Sequence, residues 1–411
     1  MRRQDSGLYR PRILSAVLAK AAESVPVVVL GGARQTGKSR LAQELGGAGR
    51  RYLTLDDLDT RDAATRDPRL LLDQAELLTI DEVQRTPSFL IAIKQDIDRN
   101  RRPGRFLLTG SANLLLMDQV SESLAGRALH LGLWPMTARE ILGQGIGGLW
   151  SDLFATDPAG WRSLVDRRER LGSTWQERAR IGGYPTPALE LEDATARTLW
   201  FQGYIQTYLE RDLRQLALVE NLSDFRRLMQ TLALRIGTPV NLSTVGTDLS
   251  LTRSTIHRWV SLLETSYQLV RIPAYSVNRG KRLTKSPKWY WSDTGLAIHL
   301  AGGPEPGGAH LENLILSDLL AWRDSTFPSP EVLHWRSVDR HEVDFVLEWR
   351  GRLIPIEVKA SARPSVADTR GIRLFMDLYR DQVIGGLVLH AGTECFPITE
   401  GLLAAPVDRV L

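Results

Sequence analysis

Eight consecutive residues, Gly32-Ala33-Arg34-Gln35-Thr36-Gly37-Lys38-Ser39, constrain this chain more than any other stretch. They match the pattern G-x-x-x-x-G-K-[ST] at every fixed position. Glycines at both ends let the backbone curl, so that successive N–H groups face a phosphate. Lys38 adds a point charge for the β- and γ-phosphates, and Ser39 offers a hydroxyl to Mg²⁺. An apolar run precedes the loop, and a helical segment beginning at Arg40 follows it. The positive end of that helix is directed at a bound nucleotide. The eight loop residues and Arg40 are therefore the expected contacts for ATP, with Mg²⁺ as its companion ion.

The spacing around the loop predicts an α/β fold. Five short apolar runs, Val27–Leu30, Tyr52–Leu55, Leu77–Ile80, Phe106–Leu108 and Ala128–Leu133, are separated by helix-length spacers. That order implies a parallel sheet covered on both faces. The third run delivers Asp81 and Glu82 to its C-terminal edge, where ligands of such sheets bind. Asp81 is expected in the Mg²⁺ shell, and Glu82 is expected to activate the attacking water. The fourth run ends in Leu107-Leu108-Thr109-Gly110-Ser111, which offers Thr109, or failing that Ser111, as a sensor of the γ-phosphate. The alternative is a simple strand-end turn.

These motifs together resemble the prokaryotic AAA+ ATPases that carry a C-terminal domain of unknown function. The resemblance rests on Gly31 to Ser39, Ile80-Asp81-Glu82-Val83-Gln84, Leu108-Thr109-Gly110-Ser111 and Gly126-Arg127. It continues through Gly182-Gly183-Tyr184-Pro185 and Tyr290-Trp291-Ser292-Asp293-Thr294-Gly295. It covers nearly the whole chain, although the last two segments carry no evident chemistry. It implies an AAA+ P-loop core, and in that topology Arg127 stands before the fifth strand, facing the next subunit's nucleotide. Arg127 is then either an arginine finger acting across an interface or a residue pairing within its own chain. The finger reading implies a homo-oligomer, most simply a hexameric ring.

Beyond residue 140 the pattern changes three times. Residues 141–236 read as a linker and helical region, 237–303 as a winged-helix domain and 304–411 as a separate α/β domain. Leu242–Leu249, Ser250-Leu251-Thr252 and Arg253–Leu263 read as helix, turn, helix, with Thr252 as N-cap. Ile256, Val260 and Leu263 form the inward stripe of the second helix. Arg253, Ser254, Thr255, His257 and Arg258 remain outward, where a recognition helix meets DNA. After a strand at Leu269–Tyr275, a basic hairpin is expected from Arg279, Lys281, Arg282, Lys285 and Lys288. The rival reading is a small packing domain with a solvated basic loop.

The last domain carries Glu312 on a helix from about His310 to Trp322, Asp344 in Val343–Leu347, and Glu357 with Lys359 in Leu353–Lys359. A strand's period of two puts Glu357 and Lys359 on one face, and a hairpin at Trp349–Arg352 brings Asp344 beside them. Helix, three strands, helix, strand resembles the PD-(D/E)xK nuclease-like fold. That resemblance implies Asp344 and Glu357 as ligands of Mg²⁺ or Mn²⁺, Glu312 extending the shell, and Lys359 activating water for phosphodiester attack. The alternative is an acidic pocket kept for binding or structure.

Bulk properties bound these readings. The chain has 411 residues, 43% hydrophobic and 24% charged, enough for two or three full cores. Its net charge of +4 is compatible with nucleic acid without requiring it. No apolar run reaches membrane-spanning length, Met1 to Leu18 lacks a signal-peptide core, and a lone cysteine, Cys395, fits a reducing compartment. A cytoplasmic protein with no membrane partner is expected. The combined expectation is a DNA-dependent AAA+ ATPase, a helicase-like motor remodelling duplex or branched DNA in repair or recombination. Its rivals are a nucleotide-gated switch or scaffold in defence or regulation, and an ATP-licensed metal-dependent endonuclease.

Overall fold

The computed structural model describes residues 9–46, 49–110, 124–207, 221–303 and 305–411. The chain forms two compact units, Met1–Ile146 and Gly147–Leu411. Among the described residues, no helix is long and apolar enough to cross a membrane.

The first unit is built on five strands, β1 (Val27–Gly31), β2 (Arg50–Thr54), β3 (Leu77–Asp81), β4 (Phe106–Thr109) and β5 (Ala128–Gly132). Every pairing is parallel, in the order β2-β3-β4-β1-β5. The inner strands β3, β4 and β1 are largely apolar and buried because both their faces are covered, whereas the edge strands β2 and β5 carry Arg50, Arg51 and His130. Along β1, Val27 and Val29 join one core with Ile80, Phe89, Ile93 and Leu108, while Val28 and Leu30 join another with Leu14, Leu18 and Leu41. This is the two-residue alternation of a strand between two helical layers. Because β1 lies between β4 and β5, the chain leaves it for the far edge and returns through β3 and β4. The loop after β1 therefore opens beside the carboxyl ends of β3 and β4.

The second unit, Gly147–Leu411, holds the helical, winged-helix and α/β segments that the sequence separates. Its helical part includes Trp175–Ile181, Ala194–Tyr204 and Leu222–Leu234, followed by Leu242–Leu249 and Arg253–Thr265. Two antiparallel strands follow, β6 (Leu269–Ile272) and β7 (Lys288–Trp291). The segment between them is a short helix, Arg279–Thr284, capped by the Asn278 side chain. The expected basic hairpin is corrected here. Arg282 is 6% exposed, stacks over Tyr275 and pairs with Glu331 at 2.7 Å and Glu348 at 2.8 Å.

A helix, Gly308–Asp324, leads into a six-stranded sheet of β8 (Glu331–Arg336), β9 (Glu342–Trp349), β10 (Arg352–Lys359), β11 (Gly386–His390), β12 (Phe396–Thr399) and β13 (Leu402–Pro406). The order is β12-β13-β11-β10-β9-β8. Strands β8, β9 and β10 form an antiparallel meander, and β10, β11 and β13 are parallel. The sequence reading stops at β11. It misses the β12–β13 hairpin, whose signal is the Glu400-Gly401 turn with Gly401 at φ +71°.

Candidate functional site

The phosphate loop begins where β1 ends and turns into the helix Lys38–Glu44. Gly32 has φ +145°, and a Cβ there would stand 2.4 Å from the Leu133 carbonyl oxygen, so only glycine fits. Gly37 (φ +93°) and Gln35 (φ +61°) complete the curl, and the Thr36 hydroxyl donates to the Ala33 carbonyl at 2.9 Å. Lys38 is buried and donates to the carbonyls of Gly32 (3.1 Å) and Ala33 (2.6 Å). Burial lowers its ammonium to about 8, against the pull of Glu82 and Asp81.

Three hydroxyls grip the Asp81 carboxylate. Ser39 donates to it at 3.1 Å, Tyr52 at 2.6 Å, and Thr109 makes a further hydrogen bond. These groups come from the helix after β1, from β2 and from the end of β4, which the strand order brings together. Burial, then the hydrogen bond to Asp81, pushes the Tyr52 phenol well above its ordinary range. Glu82 sits next in the chain at φ +55°, a conformation rare outside glycine, and the Gln84 amide donates to its carboxylate. Burial, then the neighbouring Asp81, raises the Glu82 carboxyl. Serine and carboxylate oxygens are the hard donors that Mg²⁺ prefers, so Ser39 and Asp81 fit that ion.

Tyr52, Gln84 and Arg12 escape the sequence reading. Arg12 is buried, donating to the carbonyls of Thr36 (2.8 Å) and Trp134 (2.7 Å) and pairing with Glu140 at 3.2 Å, so it braces the loop from behind. Tyr52 alone had a usable signal, a hydroxyl on the strand that pairs with β3. Arg34 is exposed on the loop, and Arg40 pairs with Glu44 one turn along its helix, at 2.9 Å. Arg127 pairs with Asp98 at 2.7 Å and donates to the Ala125 carbonyl within its own chain. Ser111 lies outside the described residues.

The second unit gathers Glu312, Asp344, Glu357 and Lys359 around a residue that the sequence assigned elsewhere. Lys288, from β7, is 2% exposed and reaches Asp344 at 3.0 Å and Glu312 at 3.7 Å. Tyr290 donates to Glu312 at 2.8 Å, the Val358 amide to Asp344 at 2.9 Å, and Lys359 to Glu357 at 2.8 Å. Burial works against the Lys288 ammonium, but Asp344 and Glu312 outweigh it and push it up to about 12. Burial, then Asp344, raises Glu312 to about 7 and Glu357 to about 8. Among the described residues no three His, Cys, Asp or Glu side chains form a group suited to a metal ion. The structure brings together Asp344, Glu357 and Glu312, the carboxylates expected around Mg²⁺ or Mn²⁺, and adds Lys288 among them. The ammonium of Lys288 supplies the positive charge that the carboxylates demand.

On the helix Arg253–Thr265, Arg253, His257 and Arg258 are exposed, Thr255 is half-buried, and Thr252 caps the first turn by accepting from the Thr255 amide. Arg253, His257, Arg271 and Lys285, with the acid Glu264, line a groove of about 410 Å³. Lys281 and Lys285 are exposed, whereas Arg282 and Lys288 turn inward.

The Gly-Gly-Tyr-Pro and Asp-Thr-Gly segments explain each other. Buried Asp293 accepts from the Gly183 amide at 2.5 Å and the Leu296 amide at 2.8 Å. A Cβ on Gly182 would stand 2.5 Å from the Asp293 carboxylate, and one on Gly295 would stand 2.7 Å from the Phe201 ring. The two segments form a structural latch. Asp293→Ala orphans these buried amides and is expected to cost about 2–4 kcal/mol, read from urea unfolding followed by tryptophan fluorescence. A loss below about 0.5 kcal/mol, the range of a neutral surface change, would reject the latch.

Residues 24–142 match a family model described as an AAA domain, and residues 172–306 and 307–410 match two separate domains of unknown function, DUF8612 and DUF4143. An uncharacterized protein of Mycobacterium tuberculosis is 30% identical over 415 residues, covering 98% of this chain and 85% of that one. An uncharacterized protein of Haemophilus influenzae is 22% identical, covering 68% and 65%. Similar solved structures include a point variant of Thermotoga maritima RuvB, with 19% identity, 66% and 91% coverage and a TM-score of 0.29. AMPPCP-bound DnaA from Aquifex aeolicus has 14% identity, 60% and 86% coverage and a TM-score of 0.28.

Proposed function

Since this chain belongs to the same family as its mycobacterial relatives and carries an AAA domain, we propose that it is an ATP hydrolase whose turnover is coupled to DNA. The observation that carries the first half is the convergence of Lys38, Ser39, Asp81, Glu82 and Thr109 at one sheet edge. Lys38 would exchange the Gly32 and Ala33 carbonyls for phosphate oxygens. Ser39 and Asp81 would hold Mg²⁺, which supplies neutralisation of charge at the phosphates. Tyr52 and Thr109 orient the Asp81 carboxylate. Glu82 takes the proton from the attacking water, and its raised carboxyl pKa makes it a better base.

The second half rests on the exposed Arg253, His257 and Lys285, which line the 410 Å³ groove, with exposed Arg258 on the same helix, a basic surface suited to a phosphate backbone. A nucleotide-gated switch with slow hydrolysis is the second reading, favoured by Gln84, whose hydrogen bond to one Glu82 carboxylate oxygen pulls its pKa down and weakens it as a base. Lys288 places a cation of the protein's own within the acidic cluster, and the proposal includes no strand cleavage there.

The deciding experiment is phosphate release with single-stranded, duplex and branched DNA, with cleavage followed in the same tubes. DNA is expected to raise turnover several-fold, with no strand cut in Mg²⁺ or Mn²⁺. Arg253→Glu with Arg258→Glu is expected to abolish that stimulation and leave basal turnover intact. DNA-independent turnover in the unmodified chain would reject the coupling and leave the switch.

A further inference from the structure

Three parallel strands end together on one edge of the six-stranded sheet, where Lys359 of β10, His390 of β11 and Pro406 of β13 are register neighbours. Open α/β sheets bind ligands outside such carboxyl ends. A cavity of about 460 Å³ opens there, lined by Arg170, Ser173, Thr174, Arg178, His390 and Asp408. Ala360, the residue after Lys359, also lies on its wall.

Two buried donors of the lining lack acceptors, and one buried carboxylate oxygen, Oδ1 of Asp408, lacks a donor. His390 is 0% exposed, and its Nδ1 accepts the Gly392 amide at 3.0 Å. The ring proton is therefore on Nε2, which has no hydrogen-bond partner. Burial lowers the imidazole below its ordinary value, with the carbonyls of Glu394 and Ala362 pulling the other way. Arg178 is 9% exposed and gives Nη1 to the Ser173 carbonyl at 2.6 Å, leaving its Nε buried without a partner. Arg170 is exposed and pairs with Asp408 at 2.6 Å. Two guanidinium groups against one carboxylate leave the lining net positive. A ligand bringing acceptors would satisfy these orphaned buried donors.

We propose that this cavity binds a phosphate monoester, held by Arg170, Arg178 and the Nε2–H of His390. Donors from three separate segments suit a group with three terminal oxygens better than a planar carboxylate, and the forked guanidinium matches phosphate. The monoester is either a small phosphate or the 5′-phosphate end of a nucleic acid strand, which the same pocket chemistry serves. The site is independent of the phosphate loop, which lies in the other unit.

The test uses the full chain carrying Lys38→Ala, which removes the phosphate affinity of the loop. Calorimetric titration compares inorganic phosphate, a 5′-phosphorylated trinucleotide and the same trinucleotide with a 5′-hydroxyl. Saturable binding of inorganic phosphate is expected, and about tenfold weaker binding when Arg170→Gln is added, the equivalent of one charge-assisted hydrogen bond. Arg170 is exposed, and a thermal melt shows whether that variant stays folded. Tighter binding of the phosphorylated trinucleotide than of phosphate identifies a strand end, whereas equal binding identifies a small phosphate. Absence of binding by the folded chain, unchanged affinity in Arg170→Gln, or equal affinity for both trinucleotides with none for phosphate overturns the proposal.

Discussion

Glu82→Gln is expected to keep its affinity for ATP and lose roughly 100- to 10,000-fold in turnover, the range attributable to a single general base. The carboxylate stands one residue past β3, beside Asp81, in a positive-φ conformation that a non-glycine residue adopts only under constraint from its surroundings. Burial raises its pKa and so strengthens it as a base, while the amide of Gln keeps the shape and removes the proton-accepting oxygen. Lys38→Ala should instead lose binding and turnover together, because the lysine is the cation buried inside the loop. Phosphate release at saturating ATP, with nucleotide affinity from fluorescence titration, separates the two effects. Turnover in Glu82→Gln within twofold of the unmodified chain would remove Glu82 from the chemistry.

Lys288→Ala should destabilise the second unit by about 3–5 kcal/mol, because it leaves Asp344 and Glu312 buried against each other without their cation. The loss should depend on pH. Glu312 and Glu357 are raised to about 7 and about 8, so the folded state keeps protons that the unfolded chain has already released above about 4.5. Folding therefore takes up protons between these limits, and their contribution to stability falls as pH rises through the window. Lys288 carries the opposite sign. Its stabilisation is present below the ordinary lysine value of 10.5 and disappears only as pH rises through about 12. Removing it should therefore cost more at pH 8 than at pH 5.5, where protonated Glu312 no longer repels Asp344. Urea unfolding of both chains at the two pH values measures this, with and without Mn²⁺. Equal stability at pH 8 would reject the role given to Lys288, and stabilisation of the unmodified chain by Mn²⁺ would support the metal reading of the cluster.

The features legible in the order of residues are those that depend on short spacing. The phosphate loop is eight adjacent residues, and its glycines follow from backbone geometry that no other residue tolerates. The inner strands of the core showed themselves as apolar runs because both faces of a parallel sheet are covered there. Glu357 and Lys359 could be put together because a strand repeats every two residues, and Asp344 because a hairpin closes locally. The rest depended on how distant segments pack. Tyr52 reaches Asp81 across 29 residues of chain, and Lys288 reaches Asp344 across 56. Arg279 to Lys288 read as a basic surface hairpin because Lys and Arg are usually solvated. The burial of Arg282 and Lys288 depends on carboxylates contributed by β8, β9 and the helix Gly308–Asp324. A local pattern carries periodicity and turn chemistry, but the desolvation of a charge is set by what the fold packs against it, and that partner lies far away in the chain.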